Sequence, residues 1–315
     1  MEDLTLDETK KDVEKPKLTR RPGRPPHVRP QQPKIKKGVV EDPSDESHYM
    51  EFLHDKPLVF KKLFAFFKEM AVSKVHIAFM KNNITIYSSD HHGKNHIRVN
   101  INCNNIDHYY IKKDLDVGIL CKNLELIMKT IDKNYNSICL ISQTTHIQKE
   151  IRIIFKNKFE IEENHKIELI GQYNKNDNDQ RFVDDDYKIK FKLNCKYFKK
   201  MITDIKSFSE QVTIKKDGPE DNLIFEYSTN NKKIKSSYII KNEKKIDLKD
   251  NTGEEPFRTS FVVGYVKPIS SALLSDTIEI YADENKPLKF IIQMDESIDV
   301  VILTDIIDNR DPKLI

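Results

Sequence analysis

Apolar residues recur at helical spacing in four stretches of the chain and alternate with polar ones through much of the rest. In 195–208, Phe198, Met201, Ile202, Ile205 and Phe208 fall at i, i+3, i+4, i+7 and i+10, one stripe for burial. Lys196, Lys199, Lys200 and Lys206 take the opposite face. In 58–70 the stripe is Phe60, Leu63, Phe64 and Phe67, with Lys61, Lys62 and Lys68 outward. In 120–132 it is Leu120, Leu124, Ile127, Met128 and Ile131, with Lys122, Lys129 and the following Lys133 away from it. A fourth helix, 264–274, turns Val266, Ile269 and Leu273 inward and only Lys267 outward. Strands are expected at 74–79, 84–88, 96–103, 137–142, 150–156 and 165–170, and again at 187–193, 211–215, 223–228, 233–239, 277–282, 288–294 and 299–303. The pattern predicts an α+β protein that repeats one plan twice, its matching helices offset by 137 and 143 positions. The expected organisation is a first domain over 50–170, a polar connector over 171–186 (GQYNKNDNDQRFVDDD), a second domain over 187–307 and a tail over 308–315.

Residues 1–49 read differently. They hold seven of the 13 prolines and only ten apolar residues, too little apolar surface to offset the entropy of ordering, so a disordered arm is expected. Between Lys15 and Lys37 there are nine basic residues and no acidic one. Within that block Arg21-Pro22-Gly23-Arg24-Pro25-Pro26 resembles an AT-hook, whose arginines enter the narrow minor groove of A·T-rich DNA. Arg20, Arg21, Arg24 and Arg29 are the candidate arm contacts. A basic, proline-rich linker or a nuclear-import patch accounts for the same residues.

Composition removes several classes of function. The eight glycines are so spread that the closest two, Gly253 and Gly264, stand eleven positions apart, so neither a Walker A loop nor a G-x-G-x-x-G turn can be written. Cys103, Cys121, Cys139 and Cys195 are too dispersed for a C-x-x-C site and too few for a disulfide framework, which suits a reducing, intracellular setting. The opening MEDLTLDETKKD has no signal-peptide core, and no apolar run is long enough for a membrane helix. With 53 basic and 50 acidic side chains the net charge is only +3, which announces no nucleic-acid partner. The distribution matters more than the sum. Lysines gather on the outward faces of three helices, where acidic residues, such as Glu69, Glu125 and Asp204, are few. One such face is an ordinary solvated surface; three in matching positions point to a shared basic surface for phosphates.

Taken in order, several segments resemble the sliding clamps of the PCNA type and, within that type, the clamp-like proteins of large cytoplasmic DNA viruses related to African swine fever virus. They are Pro57-Leu58-Val59-Phe60-Lys61-Lys62-Leu63-Phe64, Asn105-Ile106-Asp107-His108-Tyr109-Tyr110, Leu115-Asp116-Val117-Gly118-Ile119 and the head Arg21–Pro26. The resemblance implies a DNA-clamp fold: two pseudo-repeated domains, helices lining a central channel, outer antiparallel sheets and a ring-shaped homotrimer. It implies a processivity factor that encircles double-stranded DNA and tethers DNA polymerase and other replication and repair proteins. No catalysis, cofactor, metal or membrane is implied, and the setting would be a viral replication factory in the host cytoplasm, or the nucleus. The channel residues would be Lys61, Lys62, Lys68, Lys122, Lys129, Lys133, Lys196, Lys199, Lys200, Lys206 and Lys267. Ile167 and Leu169 of one subunit would meet Ile234, Ser236 and Tyr238 of the next. Partner motifs would dock near Ile97, Val99, Phe182, Pro287, Leu288, Ile302 and Thr304. Here the chain departs from the type, with Thr304-Asp305 where Ala-Pro is common.

Two alternatives stand beside that picture. Asp90-His91-His92 matches the triplet of the DHH phosphoesterases, but no Asp occurs between Lys56 and Ser89 to complete a two-metal cage, and Asp184-Asp185-Asp186 reads as solvated connector. The other is a DNA-tethering or host-interaction protein that keeps a clamp-type fold without closing a ring.

Overall fold

The computed structural model describes residues 38–145, 147, 149–171, 180–182, 186–218, 221–229, 233–241, 249–250 and 256–307. The four apolar stripes form α1 (Pro57–Glu69), α2 (Cys121–Thr130), α3 (Cys195–Phe208) and α4 (Val263–Ala272). Pro57 opens α1, where its missing N–H and fixed φ cost nothing. Asn194 caps α3, its side chain accepting from the Lys196 and Tyr197 amides. Leu273, at φ +46°, ends α4 in the left-handed region.

The strands of the first half are β1 (His48–His54), β2 (Lys74–Phe79), β3 (Asn83–Ser89), β4 (Asn95–Asn102), β5 (His108–Ile111), β6 (Leu115–Leu120), β7 (Tyr135–Gln143), β8 (Glu150–Asn157) and β9 (Glu162–Glu168). Those of the second are β10 (Ile189–Asn194), β11 (Gln211–Lys216), β12 (Leu223–Ser228), β13 (Lys235–Ile240), β14 (Lys249–Asp250), β15 (Phe257–Val262), β16 (Thr277–Ala282), β17 (Leu288–Gln293) and β18 (Ile298–Thr304). The described residues are thus α+β, with three antiparallel sheets. Their orders are β5-β1-β7-β8-β9, β14-β10-β16-β17-β18-β4-β3-β2-β6 and β13-β12-β11-β15. Order and pairing repeat: the positions of β5-β1-β7-β8-β9 and β4-β3-β2-β6 in the first half are those of β14-β10-β16-β17-β18 and β13-β12-β11-β15 in the second. The nine-stranded sheet joins one half to the other through seven aligned pairs from Ile298↔Ile101 to Thr304↔Asn95. A buried side-chain chain pins that seam. Thr304 Oγ1 donates to Asn95 Oδ1 at 2.7 Å, and Asn95 Nδ2 to Asp90 Oδ2 at 2.8 Å.

Helices pack on each other in the order α2, α1, α4, α3, so one layer runs through both halves. Between this layer and the sheets lies one apolar core, including Phe60, Leu63, Phe67, Phe198, Ile202 and Val266 with Ile97, Val99, Phe191 and Ile302. β1 escapes a periodicity reading because Glu51 is buried in it, only 3% exposed. Burial works to raise the Glu51 pKa, but hydrogen bonds from Ser44, His48 and His108 outweigh it and hold the carboxyl below its ordinary value.

Three histidines set an acid limit on the fold. Burial pushes the imidazoles of His54, His76 and His96 below the ordinary value of 6.5. Their unfolded forms therefore bind protons more readily than the folded ones. The stability they contribute is complete above about pH 6.5 and drains away as pH falls toward the folded values. The thermal midpoint is expected to be level from about pH 7 to 8 and to drop progressively below about 6.5, less steeply in His96→Gln. A midpoint that rises on mild acidification would contradict these assignments.

Candidate functional site

The helix layer carries Lys62, Lys122, Lys129, Lys196, Lys200, Lys206 and Lys267, with Lys133 just beyond the end of α2, all exposed. Lys62 and Lys196, from different halves, share the lining of a recess of about 320 Å³ with Leu273, Leu274 and Ser275. Three other lysines of this face have local partners. Lys61 Nζ donates to the Lys129 and Ile131 carbonyls at 3.1 and 2.5 Å, at the C-terminus of α2. Lys199 Nζ donates to the Ser271 carbonyl at 3.4 Å, at the C-terminus of α4. A cation at a helix C-terminus answers both the unpaired carbonyls and the negative dipole end, so these two half-buried lysines act in the fold. Lys68 Nζ lies 2.7 Å from Glu125 Oε1, linking α1 to α2.

At the N-terminal end of α1 the chain assembles a second group. His54 ends β1, Asp55 precedes α1, and Asp107 sits in the loop before β5. One ligand atom from each lies within 4.8 Å of the others, the spacing of a set that can hold a divalent cation. His54 is buried, Asp107 half-buried and Asp55 exposed, so the group opens to solvent on its carboxylate side. The Asp55 amide donates to Asp107 Oδ2 at 2.7 Å, which ties the two loops together, and the Lys56 amide donates to His54 Nδ1 at 3.0 Å. Burial pushes the His54 pKa down, while Asp295, Asp55 and Asp107 pull it part of the way back. A neutral imidazole is the form that ligates metal.

The DHH triplet is not the source of this group. Asp90 accepts from the Lys94 amide and from Asn95 within its own turn, and His91 and His92 stack edge to face in solvent. The cysteines offer no nucleophile, since burial raises Cys103 and Cys139 to about 12 and Cys121 and Cys195 to about 11.

The remaining sequence-derived residues scatter. Ile97, Val99, Leu288 and Ile302 lie in the main core, facing the helices. Phe182 lies instead with Tyr87, Val301 and Leu303 in a separate cluster, capped by Arg98 at 4.8 Å from its ring centroid. Side chains alternate along a strand, so a surface on the sheet face away from the helices is built from residues 301 and 303, one position off the expected set. Arg181, beside Phe182, donates to His96 Nε2 at 2.6 Å. Thr304 is buried at the seam, and the Pro287 carbonyl accepts from the Tyr187 hydroxyl. Ile167 is buried in β9 and Leu169 is half-buried just after it. Ile234 is exposed before β13, and Tyr238 on β13 donates to Asp204 of α3. β9 and β13 are terminal strands of their sheets among the described residues. Arg20, Arg21, Arg24, Arg29, Asp184 and Asp185 lie outside the described residues.

The structure therefore corrects the expectation of an inert processivity clamp that encircles DNA. The described residues form three open sheets that enclose no channel, and His54, Asp55 and Asp107 supply a ligand set with catalytic potential where no metal and no enzyme were expected.

No family model matches the chain. Over 289 residues it is 25% identical to an uncharacterized protein of African swine fever virus, in isolates from a Kenyan pig and a Namibian warthog and in the Vero-adapted Badajoz strain. The match covers 88% of this chain and 94% of the viral protein. It links the chain to a viral protein and brings no activity with it.

Proposed function

We propose that the chain is a DNA-tethering protein on a clamp-type fold, which holds duplex DNA against its helix layer without encircling it and carries a divalent cation at His54, Asp55 and Asp107. The observation that supports tethering most is the seven exposed lysines on one continuous layer of four helices, with exposed Lys133 just beyond α2. Lysine contacts phosphate as a mobile point charge, so binding is independent of sequence and sensitive to salt. In this reading 50–170 and 187–307 are tandem domains joined by 171–186. The β18–β4 seam then has a counterpart between copies of the chain, since β9 and β13 hold the equivalent places and end their sheets. Exposed Ile161, Ile170, Ile234 and Ile239 adjoin those two edges, and pairing would cover them. Titrating a labelled duplex at salt from about 50 to 200 mM tests tethering. The affinity should fall with a log–log slope of about 0.9 per phosphate neutralised. Absence of binding at the lowest salt would overturn it.

The ligand group favours a second reading, metal-assisted phosphodiester hydrolysis. A bound cation would polarise a phosphoryl oxygen and lower the pKa of a bound water, and His54 and Asp55 lie just before α1, which carries Lys62 in its second turn. Duplex incubated with Mn²⁺ should be cleaved by the wild type and spared by Asp107→Asn. DNA left intact by metal-loaded wild-type protein would eliminate this reading.

A further inference from the structure

Building on the metal reading above, we infer that Ser297 and Asp295 are positioning residues for the cation: they fix the tautomer of His54 so that Nδ1 is the ligand atom turned toward Asp55 and Asp107. The two residues come from the β17–β18 turn, with Ser297 243 positions along the chain from His54. Ser297 Oγ lies 3.2 Å from His54 Nε2 and 2.9 Å from Asp295 Oδ1. An ionised carboxylate only accepts, so the single hydroxyl hydrogen of Ser297 goes to Asp295. The hydroxyl oxygen must then accept from Nε2–H. That leaves Nδ1 as the lone pair, and the Lys56 amide pointing at it from 3.0 Å requires the same tautomer. Coordination at Nδ1 would displace this one backbone bond and leave the Nε2 side untouched.

The support is rigid. Asp295 Oδ1 also accepts from the Ser297 and Ile298 amides at 2.8 and 2.9 Å, so the carboxylate is fixed by its own turn. Asp295 Oδ2 stands 3.6 Å from Nε2, adding its charge behind the ring. The turn is docked on the loop that leads to Asp107. The Asn102 amide donates to the Ser297 carbonyl at 2.8 Å, and Asn105 Nδ2 to the Glu296 carbonyl at 2.9 Å. Ligands and support thus belong to one hydrogen-bonded frame, the carboxylate–histidine arrangement that orients metal ligands.

Calorimetric titration of the full chain with MnCl₂ tests this, together with ¹⁵N spectra of labelled histidine. The wild type should bind one Mn²⁺, with metal-free His54 protonated at Nε2. Ser297→Ala and Asp295→Asn should weaken binding by about 10- to 100-fold, and Ser297→Ala should lower the share of the Nε2–H tautomer that the Lys56 amide still favours. Ser297→Thr, which keeps the hydroxyl, should restore both, and Asp295→Asn keeps the Oδ1 acceptor of the turn should the alanine variant misfold. Wild-type protein that binds no Mn²⁺ would overturn the metal reading itself. Wild-type binding matched by Ser297→Ala and Asp295→Asn, with the tautomer unchanged, would overturn the positioning role alone.

Discussion

Replacing Lys62, Lys129, Lys196 and Lys200 together by alanine should lower the log–log salt slope of duplex binding by roughly four units, about one for each phosphate contact removed. All four side chains are exposed, and they come from α1, α2 and α3, so the loss samples three of the four helices. Alanine is the best helix former, and exposed substitutions of this kind change stability by about half a kcal/mol or less. The fold should therefore survive while binding fails. Lys61→Ala and Lys199→Ala give the converse. Their amines end on the α2 and α4 carbonyls, so each should lower the thermal midpoint and leave the salt slope nearly unchanged. If all six lysines behaved alike, the division between DNA-facing and fold-supporting side chains would be wrong.

Phe67→Ala should cost about 3–5 kcal/mol, a large share of the roughly 5–15 kcal/mol available to a folded domain. Phe67 is fully buried and meets Phe64 edge to face at 5.5 Å and Phe66 at 6.0 Å in the last turns of α1. That helix packs on both α2 and α4, so no neighbouring element is free to collapse into the cavity. Urea unfolding followed by far-UV dichroism would read the change as a shift in midpoint at constant slope. A loss under about 1 kcal/mol would mean that Phe67 does not sit where the core places it.

Elements that bury one clean face were legible in the sequence. The 195–208 stripe matches α3 to the residue, and 74–79, 223–228 and 277–282 match β2, β12 and β16. β6 and β15 were not, because each runs straight into a helix with no turn between: Leu120 into Cys121, Val262 into Val263. An apolar run across such a junction fits neither period. Sheet faces are not legible at residues 301–303, where every residue is apolar and only the packing partner tells inside from outside. The ligand group left the weakest trace. His54 and Asp55 are adjacent, but Asp107 joins them from 52 positions away through an amide contact, and no spacing motif records that. The visible triplet begins at Asp90, which stabilises a turn. Lys61 and Lys199 carry the same pattern as their exposed neighbours, and only the end of an adjacent helix separates their role.

Lysine reactivity toward acetylation, mapped by mass spectrometry with and without duplex DNA, tests the placement of DNA most directly. Protection of Lys62, Lys122, Lys129, Lys133, Lys196, Lys200, Lys206 and Lys267 is predicted, with Lys156 and Lys192, on strands β8 and β10, unchanged. Protection of Lys156 and Lys192 while the helix lysines stay reactive would place DNA on the sheets and contradict the account.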